Sequence, residues 1–136
     1  MHLDVNAAAV RGAIKEYCAA PNFGPPEAAE GARRHDVLPL WNDFMGCIAI
    51  RPDGEVVFFS WDDVGALEVV AEIGPDQAMV HAARGFGSRR FPMLAGIAPA
   101  RGPEARTCGT CKGEGVIPGV PENVVCECGG LGWVPG

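Results

Sequence analysis

Two cysteine pairs near the end of the chain, Cys108-Gly109-Thr110-Cys111 and Cys126-Glu127-Cys128, constrain its fold more than any other feature of its 136 residues. Residues 101–136 hold few side chains from which to build a core: Val116, Ile117, Val120, Val124, Val125, Leu131, Trp133 and Val134. So small an apolar set needs a crosslink, and two thiolate pairs on separate turns are the soft tetrahedral donor set that zinc prefers. Glycines follow each pair, Gly113 and Gly115 after the first and Gly129, Gly130 and Gly132 after the second. A metal knuckle brings backbone close to sulfur and uses positive φ angles, which glycine adopts at low cost. Cys126 and Cys128 stand two apart, so an extended segment would turn both sulfurs to one face. Trp133 is placed to cover the site and exclude water. Cys108, Cys111, Cys126 and Cys128 together fill the shell of one Zn2+ ion. The expected site is therefore closed and structural, with no catalytic residue.

Two other readings fit the same residues. Unrelated free cysteines are one. The other is a thiol–disulfide redox protein or enzyme working through Cys108 and Cys111. That chemistry places Cys-x-x-Cys at the start of a helix after a strand, and Lys112-Gly113-Glu114-Gly115 is a poor helix start.

Cys108-x-x-Cys111-x-Gly113-x-Gly115 resembles the repeat of the DnaJ-type cysteine-rich zinc domain, and Cys128-x-Gly130-x-Gly132 is similar to the second half of another such repeat. The family pattern would put a cysteine at Val125, whereas this chain has it at Cys126. The chain also carries a single pair of repeats, fewer than the chaperone domain, and lacks the J-domain's His-Pro-Asp signature. The resemblance implies zinc binding and does not extend to chaperone activity.

Ahead of this segment, Asn6 is a candidate N-cap for a helix over 7–20, with Val10, Ala13, Ile14, Tyr17 and Cys18 near helical spacing. Pro25-Pro26-Glu27 opens a second helix to about His35. Leu38-Pro39-Leu40-Trp41 is an apolar lead-in to two strands, 45–51 and 55–60, joined through the turn Arg51-Pro52-Asp53-Gly54-Glu55. A third strand is expected over 67–73 and a short helix from Pro75-Asp76 to about Arg84, ended by Gly85-Phe86-Gly87. One more helical turn follows over 91–97. Ala98 to Arg106 has a linker's composition, and no fixed-period repeat is evident. The expected fold class is α+β: a small antiparallel sheet with flanking helices over residues 1–100, then a zinc knuckle over 101–136.

Charge and hydropathy narrow the function. Net charge is −6, divided as −5 over residues 1–100 (8 basic, 13 acidic) and −1 over 101–136 (3 basic, 4 acidic). Four thiolates on one dication would add to the negative charge, so no nucleic-acid partner is expected. No apolar run approaches the roughly 20 residues a membrane span needs, and the first residues lack the basic and apolar regions of a secretory signal. A cytoplasmic, reducing location is expected, in which paired cysteines point to metal or redox chemistry.

The remaining candidates are weaker. Cys47 in a strand and Cys18 on a helix read as inert packing residues. His2, His35 and His81 are scattered. His81 with Arg84, Arg89 and Arg90 forms either a small anion site near a helix end or a solvated face. Asp62-Asp63 is either a cation site or a plain turn. Gly85-x-Gly87 is no dinucleotide fingerprint. Trp41, Phe44, Phe58, Phe59 and Trp61 flank the hairpin and serve either a core covered on both faces or an exposed aromatic interface. Residues from about Ala7 to Asp63 resemble the SUKH superfamily in their order: two helices, Leu38-Pro39, a strand, a Pro-Asp-Gly hairpin and a Val-Val-Phe-Phe strand. That resemblance implies a protein-binding module such as an immunity protein that blocks a toxin. The Ala-, Gly-, Arg- and Pro-rich composition fits a GC-rich bacterial genome. The sequence thus favours a non-enzymatic, zinc-stabilised protein-binding module, an immunity or adaptor protein, over the redox alternative.

Overall fold

In a computed structural model of the chain, residues 3–21, 26–42, 46–61, 67–69, 77–119 and 123–135 are described. Helix α1 spans Ala7–Ala19, and Asn6 Oδ1 accepts from the Ala9 N–H at 3.1 Å, satisfying one of the donors that a helix start leaves open. Its apolar spacing puts Val10, Ala13, Ile14 and Tyr17 on the buried side. Helix α2, Pro26–His35, begins on proline, whose missing N–H costs nothing in a first turn. It ends at Asp36, which takes a left-handed φ of 53°.

The sheet is an antiparallel meander, β1 (Leu38–Asn42), β2 (Gly46–Ile50), β3 (Val56–Trp61) and β4 (Leu67–Val69), in chain order. The expected third strand appears as β4, with residues 70–73 outside the described residues. Leu38 to Trp41, expected as a lead-in, is instead a strand. Pro39 cannot donate to a ladder, but β1 is an edge strand, and its register with β2 shifts between Pro39 and Trp41. The β2–β3 turn closes as expected, with the Gly54 N–H on Arg51 O at 2.8 Å and the Arg51 N–H on Glu55 O at 2.8 Å.

Cys47, Ile48, Ala49 and Ile50 are all buried, as are Val56 and Val57. Neighbouring strand residues point to opposite faces, so unbroken burial means that both faces are covered here. The cover comes from α1 and α2 together with α3 (Gln77–Arg90) and the 3-10 helix Pro92–Ile97. Tyr17 meets Phe91 edge-on, with centroids 6.5 Å apart.

Gly85-Phe86-Gly87, expected to stop a helix near Arg84, lies inside α3. Each of these glycines costs roughly 1 kcal/mol in a helix interior, and both stand where a neighbour approaches closely. A Cβ on Gly87 would lie 2.6 Å from Leu40 Cδ2, and one on Gly85 would lie 2.5 Å from Gly129 O. Tertiary packing thus overrides local propensity. α3 turns Gly87 and Arg90 to the sheet and its other side to the cysteine-rich segment. The fold is α+β with a small knuckle-like module holding four clustered cysteines.

Candidate metal centre

The cysteine segment consists of two equivalent halves. In the first, β5 (Arg106–Thr107) leads to Cys108, a turn and β6 (Val116–Ile117). In the second, β7 (Val124–Val125) leads to Cys126, a turn and β8 (Trp133–Val134). β5 pairs with β8, and β6 pairs with β7. The bonds are reciprocal: the Cys108 N–H donates to Gly132 O and the Cys126 N–H to Gly115 O, each at 3.0 Å. A side chain on Gly115 would strike the Gly130 carbonyl, and one on Gly132 the Gly113 carbonyl. Both turns carry three positive φ angles, at Lys112, Gly113 and Gly115 and at Gly129, Gly130 and Gly132.

The two turns deliver four sulfurs to one place. All four lie within 4.8 Å of one another. Cys108 Sγ is 3.7 Å from Cys126 Sγ, and Cys111 Sγ is 3.9 Å from Cys128 Sγ. Those separations are far beyond a disulfide bond. They match the edge of a tetrahedron of sulfurs at 2.3 Å from a zinc ion, which is about 3.8 Å. All four cysteines are buried, and Ile117 and Val134 pack against them. The Gly132 N–H also donates to Cys128 Sγ at 3.3 Å. By donor chemistry, spacing and burial, the cluster can hold a metal ion.

On their own the sulfurs do not ionise alike. Backbone N–H groups of Cys111 and Thr110 hold the Cys108 thiol down to about 7, against the effect of burial. Burial pushes the Cys126 thiol up to about 12. A bound dication favours the thiolate at every ligand and releases protons as it binds.

Two expectations about this site need correction. Cys126-Glu127-Cys128 is not extended: residues 127–130 form a turn, with the N–H groups of Gly129 and Gly130 both on Cys126 O. The turn, not strand alternation, brings the sulfurs together. Trp133 does not lie over the sulfurs. Its indole meets the His81 imidazole edge-on at 4.5 Å, and its carbonyl oxygen is 2.7 Å from His81 Nε2.

His81 is therefore not on a solvated face; it is 5% exposed. The basic residues around it diverge. Arg84 Nε donates to Ile97 O at 2.8 Å, Arg89 to Gly130 O at 2.7 Å and Arg90 to Leu40 O at 2.8 Å. His81, Gly85 and Arg89 stand four residues apart, on one face of α3, and all three meet the knuckle. Sequence reading missed this docking face. Its signal was a small residue flanked at helical spacing by two long donors.

Cys47 is buried in the core, as expected. Cys18 is half-buried with Sγ 3.7 Å from Ala29 O, and burial raises its pKa, so it is not an activated thiol. His35 is half-buried. Trp41 stacks on Phe86 at 5.8 Å, and the Arg90 guanidinium lies 5.1 Å from the Phe86 ring centre. Trp41 and Phe58 are half-buried against the core. His2, Phe44, Asp62 and Asp63 lie outside the described residues. No described helix is long and apolar enough to cross a membrane. Comparison of the chain with protein-family models, curated proteins and solved structures found no match.

Proposed function

We propose that this protein is a non-enzymatic protein-binding module stabilised by one zinc ion held by Cys108, Cys111, Cys126 and Cys128, and that it acts in the cytoplasm as an adaptor or as an immunity protein against a toxin. One observation carries the zinc reading: four buried sulfurs within 4.8 Å of one another on a segment with few other core residues. Four protein ligands leave no coordination position for a substrate, which favours a structural ion over a catalytic one. The likeness to the DnaJ-type zinc repeat supports the same metal.

Binding of a protein partner is supported by residue type and charge. Trp41, Phe86 and Arg90 form one half-buried aromatic and cationic group, of the kinds that dominate interface energies. The net charge of −6 suits a basic partner. The SUKH-like order of the front part is what makes a toxin the leading candidate.

The test has two arms. Elemental analysis of purified protein is expected to give one zinc per chain, with the four ligand thiols masked until a chelator is added. Reactive thiols in metal-free protein that cycle with a disulfide would replace this reading with the redox one. For the partner, co-precipitation from native cells is expected to recover a defined protein with the wild type and to lose it with Trp41→Ala. Recovery of the same proteins by both would count against the aromatic group as the contact.

A further inference from the structure

A cavity of about 390 Å³ lies where α3, the segment 99–105 and the end of β8 meet. Its volume falls within the range of small-molecule sites, which runs from about 300 to 1,000 Å³. The wall is mostly apolar: Trp133 with Pro99 and Pro103, residues that lose little entropy when a ligand settles on them. Its polar groups are few: His81, Arg84 and Glu104.

Arg84 is the unusual member. It is half-buried, and burial lowers its pKa, so its charge is partly removed from water. Among the described residues no carboxylate pairs with it. Its Nε is committed to Ile97 O, which fixes the guanidinium. A guanidinium has five N–H donors in a rigid fork, so most remain for something else. A partly desolvated cation with no paired opposite charge is costly, and an anionic ligand would offset that cost. The fork fits two oxygens of one planar group. Glu104, exposed on the rim, would repel a ligand of higher negative charge more strongly. His81 holds Trp133 against α3 through ring and carbonyl together, which keeps the apolar wall in place.

We infer that this cavity binds a small monocarboxylate with a compact aromatic or branched aliphatic body, the carboxylate on Arg84 and the body against Trp133 and the prolines. This site is distinct from the partner surface proposed above, and its test does not depend on that reading.

The experiment titrates phenylacetate, isovalerate and inorganic phosphate separately into the full-length, metal-loaded protein. Calorimetry and the Trp133 indole N–H resonance are the readouts. Saturable binding of a carboxylate is expected, with a shift at Trp133 and none from phosphate at equal concentration. Arg84→Gln is expected to weaken carboxylate binding at least tenfold with zinc content unchanged. Glu104→Gln, an exposed change that leaves the fold alone, is expected to tighten it severalfold. The inference is overturned if no carboxylate binds saturably at millimolar concentration, if phosphate binds as well as carboxylate, or if Arg84→Gln binds like the wild type. Should Arg84→Gln fail to fold, Glu104→Gln decides: tighter binding supports the site, and unchanged binding overturns it.

Discussion

Cys126 does more than supply a sulfur. It is 1% exposed, its N–H reaches across to Gly115 O in the other half, and its carbonyl oxygen accepts from both Gly129 and Gly130. Cys126→Ser keeps those backbone groups but removes a ligand sulfur from the buried cluster, so it should lose zinc and with it the order of both halves, whereas Cys18→Ser, on a half-buried thiol far from the cluster in sequence, should keep one zinc per chain. Elemental analysis of the two purified variants checks this; full zinc in Cys126→Ser would show that the cluster does not need it. A second residue reports on the front core. Tyr17 is 2% exposed, and burial pushes its phenol up to about 12, with the neighbouring Cys47 and Cys18 adding to the shift. An unfolded tyrosine ionises near pH 10, so the folded state holds this proton more tightly. Its contribution to stability is fully present below about pH 10 and is lost as pH rises through about 12. Tyr17 is the chain's one tyrosine, so tyrosinate absorbance follows this group alone. Absorbance is expected to rise together with unfolding above pH 10. A phenol titrating near 10 in still-folded protein would contradict its burial.

At the level of elements, α3 links the sheet to the knuckle, and its glycines give a test of sign. In an isolated helix Gly→Ala stabilises by about 0.5–1 kcal/mol. A methyl group added at Gly12 in α1 would have nothing within 4 Å, and Gly12→Ala should raise the urea midpoint accordingly. At Gly85 the same change puts Cβ against the Gly129 backbone, 2.5 Å from its carbonyl oxygen. Neither backbone can yield without moving the knuckle, so Gly85→Ala should destabilise by about 1–3 kcal/mol, the usual cost of overpacking. A stabilising Gly85→Ala would mean that the knuckle does not dock on α3 in solution. The same glycines mark the limit of what was legible in the sequence. The hairpin was readable because Pro52, Asp53 and Gly54 specify their own turn. The length of α3 was not, because Gly85 and Gly87 are breakers by local propensity, and only the approach of Leu40 and Gly129 explains them. β1 was missed for a related reason: Pro39 argues against a strand until its edge position is known.

For the molecule as a whole, the donor set could be read from the chain and its arrangement could not. The cysteines and glycines announce a knuckle by type and spacing. Its two-fold arrangement is legible only in part: Cys128, Gly130 and Gly132 follow Cys111, Gly113 and Gly115 by 17 residues, while Cys126 follows Cys108 by 18, so the repeat slips by one residue at its first cysteine. The docking of knuckle on helix rests on single donors and backbone carbonyls, which leave no pattern of their own. That contact nonetheless decides what metal removal does. Among the described residues, the buried cluster of the front part draws on side chains from Val10 to Ile97 and on none beyond. The second cluster is the four cysteines. Zinc supplies about 10–16 kcal/mol of apparent binding energy in zinc-finger peptides, far more than the few apolar contacts of residues 101–136 can replace. Chelation should therefore unfold the knuckle and leave the sheet and helices folded, with His81 and the Gly85 face of α3 newly open to solvent. Limited proteolysis after chelator should cut within 106–136 and leave a resistant front fragment. Amide exchange should rise along the 81–89 face of α3 and stay slow in β2. Cleavage confined to 98–105 with a still-resistant knuckle would show that the segment holds itself together without metal. Loss of the whole chain at once would show that the two clusters fold as one cooperative unit.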